Sequence, residues 1–190
     1  MLKVESEYNR LKGILGTDDF WFCVPLAGDQ ELDINGVRMD GYEFTKDFIN
    51  MNVPQSHAFD VNNGTFNSKK YQHVYGYDVF PVRYQEARKD GDKMWWYICI
   101  SPMPPYPNLF ASYQGVVYRD VMWQQFMFDI DGLLYWAVNV WESNSVNRIV
   151  DMGDGLLVYP GKWFGVGDEV VPSFRLENLR DGFEDFDYLR

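Results

Sequence analysis

Apolar residues recur along the chain at two different spacings, which predict helices and strands in alternation. A helical rhythm, with apolar side chains three or four positions apart, runs through five stretches. It predicts helices over Leu2–Leu15, 37–51, Pro81–Arg88, 116–130 and Ser173–Arg190. We expect Gly16 to end the first helix and Pro54 to follow the second.

Four short apolar runs are typical of strands that are buried on both faces, as in a parallel sheet. They are Phe20–Leu26, Met94–Ile100, Leu133–Trp141 and Gly155–Gly161. With the helices they give the order α-β-α-β-α-β-β-α, which predicts an α/β fold. Four strands are half of a (β/α)8 barrel, so we expect a single domain that forms a parallel-strand TIM-barrel half, with a small open sheet as the alternative.

The connecting segments carry their own signals. Residues 55–78 are rich in Asn, Gly and Ser and predict a long loop, where functional residues are common. Lys89–Asp92 predicts a turn, and Ser101–Asn108 a proline-rich loop. The last helix reaches Arg190 without a Gly or Pro stop signal, so we expect the chain to be a piece of a larger protein.

Composition narrows the classes of partner. The 190 residues are 46% hydrophobic and 24% charged, which is globular composition and not that of a disordered chain. The net charge of −11 repels phosphate backbones, so we expect no nucleic-acid partner. No apolar run approaches the roughly 20 residues that span a bilayer. The charged N-terminal segment lacks the apolar core of a secretory signal, and the localisation stays open.

The cysteine and histidine residues predict neither a metal site nor a cofactor. Cys23 and Cys99 each lie in an apolar run and are expected to be buried thiols. His57 and His73 lie in the predicted loop at a spacing that does not suit metal ligands. Phosphate-binding glycine loops, nucleophile elbows and zinc-protease motifs are absent from the sequence, and a Ser-His-Asp triad has no plausible members.

We expect any chemistry at the carboxyl ends of the strands, where the sites of βα barrels lie. The residues there are Cys99, Ser101, the loop 102–108, Asn139, Trp141, Glu142, Tyr159 and Pro160. Aromatic residues make up 18% of the chain, and rings beside amides and a carboxylate suit a sugar, which presents CH faces and hydroxyls. The alternative is that these residues only pack the loops.

Cleavage of a glycosidic bond needs an acid for the leaving oxygen and a second group at the anomeric carbon. Glu142, directly after a strand, is the best candidate for a catalytic carboxylate. Asp154 is the second candidate, with a turn role as the alternative. The pair Asp168–Glu169 is expected to be solvated. The last helix is expected to carry an ion-paired face, with a site role for Arg175 and Glu177 as the alternative.

Several motifs over residues 92–190 resemble one bacterial family. They are MWWYICISPMPPYPN at 94–108, Arg119 with Trp123, GLLYWAVNVW at 132–141, GDGLLVYPG at 153–161 and PSFRLENLRDGFEDFDYL at 172–189. This series is similar to the domain of unknown function 4091, which is found in glycoside hydrolase family 123 and its relatives. Residues 1–91 match it weakly, mainly at the run FWFCVPL.

The resemblance implies a β-sandwich and a (β/α)8 barrel in the parent protein. It also implies retaining hydrolysis of β-N-acetylgalactosaminides, assisted by the substrate's acetamido group. A consecutive Asp-Glu pair on an earlier barrel strand does this work in the family, and no such pair follows a strand here. The resemblance therefore implies that the chain is the C-terminal half of the barrel and is inactive alone. The implied sugar-binding residues are Tyr97, Asn108, Trp136, Asn139, Trp141 and Tyr159. Strand alternation also allows Trp136 to face outward.

Two further hypotheses remain open beside the hydrolase. The aromatic content also suits a non-catalytic carbohydrate-binding module. The open edges of a half-barrel favour association, so an assembly role through a homodimer is the third hypothesis.

Overall fold

The computed structural model describes residues 3–24, 31–34, 36–40, 46–59, 87–145 and 147–190. The chain divides into two compact units, residues 1–96 and 97–190. No helix within the described ranges is both long enough and apolar enough to cross a bilayer.

The first unit begins with helix α1, Lys3–Leu15, which confirms the helix predicted there. Gly16, with a φ of +68°, follows its last residue. The ring of Tyr8 packs against that of Phe22 with 5.6 Å between the centroids. This contact fixes α1 against the segment that leads into strand β1, Cys23–Val24.

Residues 37–51 do not form the predicted helix. Strand β2, Glu31–Ile34, pairs antiparallel with β3, Val37–Asp40, and residues 46–50 are turn and irregular structure. Residues 41–45 lie outside the described part of the chain. The sequence at 35–36 is Asn-Gly, a strong two-residue hairpin signal, and Gly36 has a φ of +82°. This turn chemistry outweighs the apolar rhythm that follows it.

The parallel sheet of the first unit contains β1, β4 (Met51–Asn52) and β5 (Lys93–Ile98). Cys23 is paired with Met51, and Met51 with Lys93, both in parallel register. A parallel sheet is therefore confirmed for these three strands, although β4 was not predicted as a strand.

The first predicted strand, Phe20–Leu26, is not buried on both faces as expected. In the run from Phe20, only Cys23–Val24 is described as a strand, and residues 25–26 lie outside the described part. Trp21 is 54% exposed and Cys23 is also exposed, so the predicted buried thiol at Cys23 is wrong. Strand β5 has one buried face and one half-buried face instead of two buried faces.

His57 was expected in a loop but lies in a 3-10 helix, Ser56–Phe59, and its side chain is only 4% exposed. Burial lowers the pKa of His57 to about 4 because the charged imidazolium would lose its hydration. The folded protein therefore binds a proton at this site less readily than the unfolded chain does. Stability from the neutral ring is complete above the unfolded pKa of about 6.5 and is lost as the pH falls toward 4.

We expect this group to lower the free energy of unfolding by about 2 kcal/mol between pH 7 and pH 5. Urea unfolding of the wild type and of His57→Gln at both pH values measures the difference. The variant should lack this part of the pH dependence, since glutamine does not titrate. An equal pH response of both proteins would contradict the buried neutral histidine.

The second unit contains two helices that pack against each other, α2 (Gly115–Met127) and α3 (Phe174–Leu189). Both confirm predicted helices. The Arg119 guanidinium donates to both carboxylate oxygens of Asp185 at 2.7 and 2.9 Å, and Trp123 Nε1 donates to the same group at 2.8 Å. These bonds fix the rotation of one helix against the other.

Helix α3 starts at a side-chain cap. The Oγ of Ser173 accepts from the Leu176 N–H at 3.2 Å. The predicted ion-paired face is also present, with Arg180 bonded to Glu177 at 2.5 Å and to Asp181 at 3.2 Å. These pairs are exposed to solvent and contribute little to stability.

The strands of the second unit differ from the prediction in length and direction. The run from Leu133 forms a strand only in β6, Gly132–Tyr135. The run from Gly155 forms β7, Val158–Pro160, which pairs antiparallel with an unpredicted β8, Val170–Pro172. The fold is thus mixed α/β, and the TIM-barrel half stays a prediction.

Candidate functional site

The ends of two strands lie together in the second unit. Tyr97 is the penultimate residue of β5, and Tyr135 is the last residue of β6. The N–H of Trp136 donates to the carbonyl of Ile98 at 3.3 Å, which holds these ends side by side. Both tyrosines are half-buried. The two strands therefore carry phenol groups to the same edge.

A tight turn brings a carboxyl group to this edge. Asp154 stands between Gly153 and Gly155, which have φ values of +82° and +71° and so favour glycine. The Gly155 N–H donates to the hydroxyl oxygen of Tyr135 at 2.9 Å. The Asp154 N–H donates to the Asp151 carbonyl at 2.9 Å. The Gly-Asp-Gly sequence thus allows the chain to turn sharply against the end of β6.

The electrostatics of the turn favour a neutral carboxyl more than water does. Burial raises the pKa of Asp154, although the Tyr135 hydroxyl and the N–H groups of Gly155 and Ile100 act in the opposite direction. Burial also raises the pKa of Tyr135, and the neighbouring charge of Asp154 raises it further. The pKa of Tyr97 is raised by burial, by a hydrogen bond with Cys99 and by the nearby Asp154 charge. Both phenols therefore stay protonated at neutral pH.

Trp136 provides a large exposed ring beside this polar group. Its side chain is 60% exposed, and its Cδ1 lies 3.2 Å from the position that a Cβ on Gly155 would take. The ring therefore borders the Asp154 turn. An exposed indole that borders a turn with polar groups is suited to a ligand that has both apolar faces and hydroxyl groups.

A second aromatic group surrounds β7. The ring centroid of Tyr159 is 6.1 Å from that of Trp163 and 5.8 Å from that of Phe164. Trp141 Nε1 donates to the carbonyl of Val158 at 2.9 Å, so its polar atom is bonded within the protein. Trp141 therefore contacts β7, the strand that contains Tyr159, while the Tyr159 ring contacts the segment between β7 and β8.

The two predicted asparagines differ in their surroundings. Asn108 is fully buried, and its Nδ2 donates to the carbonyls of Cys99 and Pro102 at 2.8 and 2.9 Å. Its Oδ1 accepts from the Leu109 N–H at 2.7 Å. Asn139 is exposed and its backbone bridges to Leu156. A sugar contact stays a prediction for both, with Asn139 the more accessible.

The predicted catalytic carboxylate and the Asp-Glu pair lie at exposed positions. Glu142 is exposed, and so are Asp168 and Glu169 just before β8. The Glu169 carbonyl accepts from the Gly161 N–H at 2.6 Å, so this pair belongs to the β7–β8 hairpin. A catalytic role for Glu142 stays a prediction.

Tyr135 is a residue of the site that was not singled out from the sequence. It is the last residue of β6, and only its contact with the Gly153–Gly155 turn distinguishes it from a core residue. A site role for Arg175 was the alternative to an ion-paired helix face. Arg175 is 3% exposed and bonds backbone carbonyls, which places it under the turn instead of in a ligand site. Among the described residues, no three His, Cys, Asp or Glu side chains lie together in a metal-binding group.

Comparison with known proteins places this chain in a family. Residues 30–190 match the family model described as glycoside hydrolase 123, catalytic domain. A solved structure of a family 123 glycoside hydrolase from Clostridium perfringens, determined in a study of glycolipid glycan hydrolysis, has a similar fold, with a TM-score of 0.57 and 20% sequence identity.

The alignment covers 78% of this chain and 24% of the Clostridium chain, so the present chain spans about a quarter of that enzyme's length. No curated protein matches the chain. The family match extends well beyond half of the sequence and includes the strand ends, the Asp154 turn and α3. The chain belongs to the glycoside hydrolase 123 catalytic domain family.

Proposed function

We propose that this chain forms a sugar-binding part of a glycoside hydrolase that acts on β-linked N-acetylgalactosamine. The observation that carries the proposal is the exposed Trp136 ring at a strand end, which borders the Gly153–Gly155 turn that contains Asp154. Pyranose rings have apolar CH faces that pack on indoles and hydroxyls that bond polar groups. Family membership supports a glycoside as the ligand.

The choice of N-acetylgalactosamine rests on the resemblance of the motifs at 94–108 and 153–189 to family 123 enzymes. The Clostridium enzyme with a similar fold was studied for hydrolysis of glycolipid glycans, which supports a glycan over other ligands. Because the chain corresponds to a quarter of that enzyme, we propose binding as its activity and hydrolysis as that of the larger protein.

Replacing Trp136 with Ala is expected to weaken binding of methyl β-N-acetylgalactosaminide about tenfold, since the variant loses the stacking face. Isothermal titration calorimetry at millimolar sugar measures the change. Trp21→Ala is the matched control, because Trp21 is a similarly exposed ring in the first unit and should leave the affinity unchanged. Equal affinities for the wild type and Trp136→Ala would contradict the proposed site.

The chain alone is expected not to release nitrophenol from nitrophenyl β-N-acetylgalactosaminide. Its only Asp-Glu sequence, Asp168–Glu169, lies in the exposed hairpin and not at the end of a parallel strand. Glu142→Gln, assayed alongside, should match the wild type at the background rate. Turnover by the wild type that Glu142→Gln abolishes would make the chain a complete enzyme with Glu142 as its acid.

The homodimer stays a separate prediction, which light scattering tests.

A further inference from the structure

Gly155 is hydrogen-bonded to the chain on both sides of Trp136. Its N–H donates to the hydroxyl oxygen of Tyr135, the residue before Trp136, at 2.9 Å. Its carbonyl accepts from the N–H of Val140, which lies four residues after Trp136, at 2.8 Å. The segment that carries the indole is therefore bonded at both ends to one residue of the Asp154 turn.

The turn itself is held in place by further hydrogen bonds. Nη1 of the buried Arg175 donates to the carbonyl of Gly153 at 2.7 Å. The N–H of Ala111 donates to the carbonyl of Met152, also at 2.7 Å. A segment with buried hydrogen bonds opens less readily than an exposed loop, so we expect Gly155 to keep a fixed position.

The indole of Trp136 occupies the space that a side chain at position 155 would need. A Cβ on Gly155 would lie 3.2 Å from Cδ1 of Trp136 and 3.0 Å from Cγ2 of Val140. Ordinary van der Waals contact begins at 3.4 Å, so both atoms would have to move. Although the Trp136 side chain is 60% exposed, its Cδ1 edge therefore has a defined neighbour in the glycine.

We propose that Gly155 is a positioning residue for Trp136, which keeps the indole in the orientation that stacks on a sugar. This assignment rests on the proposed function, because it requires that Trp136 binds a sugar. A side chain that is ordered before the ligand arrives loses less conformational freedom on binding. An exposed indole without this contact would have to be ordered by the sugar, and its affinity would be lower.

Gly155→Ala is expected to weaken binding of methyl β-N-acetylgalactosaminide about 2- to 10-fold, which calorimetry measures. Gly165→Ala is the matched control. Gly165 has a φ of +75°, close to the +71° of Gly155, but a Cβ there would meet nothing within 4 Å. Both variants carry a similar backbone strain, and only Gly155→Ala displaces the indole. The control should keep the wild-type affinity.

A double-mutant cycle separates positioning from general damage to the fold. In protein that already carries Trp136→Ala, Gly155→Ala should cause no further loss of affinity, since the ring that it displaces is gone. Fluorine NMR of protein labelled with 5-fluorotryptophan gives a readout that needs no sugar. The Trp136 signal, assigned by its absence in Trp136→Ala, should shift in Gly155→Ala and stay unchanged in Gly165→Ala.

A second variant keeps the test open if Gly155→Ala does not unfold cooperatively. Adding Val140→Ala removes the Cγ2 atom at 3.0 Å and keeps the contact with Trp136, so the double variant should show the same loss of affinity. An unchanged fluorine signal, or an equal loss of affinity with and without the Trp136 ring, overturns the assignment and leaves the proposed function standing. Wild-type protein that binds no sugar overturns the proposed function and this assignment together.

Discussion

Replacing Arg175 with Leu is expected to lower the free energy of unfolding of the second unit by about 3 to 5 kcal/mol. The guanidinium is buried and donates from Nη1 to the carbonyls of Leu109 and Gly153 at 2.6 and 2.7 Å. Its Nη2 donates to the carbonyl of Leu156. Leucine would leave all three carbonyls buried without a donor, and each such loss costs about 1 to 3 kcal/mol.

The three carbonyls come from different segments, so Arg175 joins the loop before α2, the 3-10 helix Asp151–Gly153 and the segment before β7 to the first turn of α3. Gly153 leaves room for it, since a Cβ there would lie 2.9 Å from Nη1. We therefore expect the Asp154 turn to lose its order together with stability.

Urea unfolding followed by tryptophan fluorescence measures the effect of Arg175→Leu as a lower midpoint. Arg180→Leu is the control, because Arg180 lies on the same helix but forms only exposed ion pairs. We expect its effect to stay within about 1 kcal/mol. Similar midpoints for the two variants would show that the buried guanidinium does not hold the segments together.

Replacing Asn108 with Leu is expected to destabilise the second unit by about 2 to 4 kcal/mol. Leucine has a similar volume but leaves the carbonyls of Cys99 and Pro102 and the N–H of Leu109 without the amide that now bonds them. The loop after β5 would lose the side-chain hydrogen bonds that now hold it together. This loss is the second largest that we expect from a single substitution.

The same variant tests the sugar-binding role predicted for Asn108. Thermal unfolding measures stability, and calorimetry at a temperature where the variant stays folded measures sugar affinity. Asn178→Ala is the control, since that amide donates one exposed bond to the Phe174 carbonyl. A loss of sugar affinity in Asn108→Leu without a loss of stability would contradict the expected destabilisation. It would instead support a place for Asn108 in the sugar-binding surface.

Helices were the elements that the sequence predicted best, for a local reason. The rhythm of apolar residues in α1, α2 and α3 reflects contacts within a few positions of the chain. The helix predicted over 37–51 does not form because the two-residue Asn-Gly turn at 35–36 is also a local signal, and it pairs the flanking residues as a hairpin.

Strands were harder because an apolar run does not specify its partner. The run from Gly155 predicted a parallel strand, yet β7 pairs antiparallel with β8. The residues of β8, Val170–Pro172, are too few to carry a period-two pattern. Strand direction and burial depend on residues distant in sequence, so periodicity alone cannot assign them.

The candidate site was also only partly predictable from the sequence. Trp136 and Asp154 were noted from the sequence, one as a ring in an apolar run and the other as the centre of a Gly-Asp-Gly turn. Their proximity was not, because 18 positions separate them. Tyr135 became visible as a residue of the site only once the turn lay against the end of β6.

By itself the sequence determined the three long helices, the proline-rich loop after β5 and the family to which the motif series belongs. Those features depend on short-range spacing and on the order of motifs, which a linear chain displays in full. Tertiary structure alone decided that Cys23 is exposed, that Arg175 donates to buried carbonyls and that the Asp154 turn lies against Tyr135 and borders Trp136. Burial and hydrogen-bond partners arise when distant segments pack together, and residue spacing along the chain does not encode them directly.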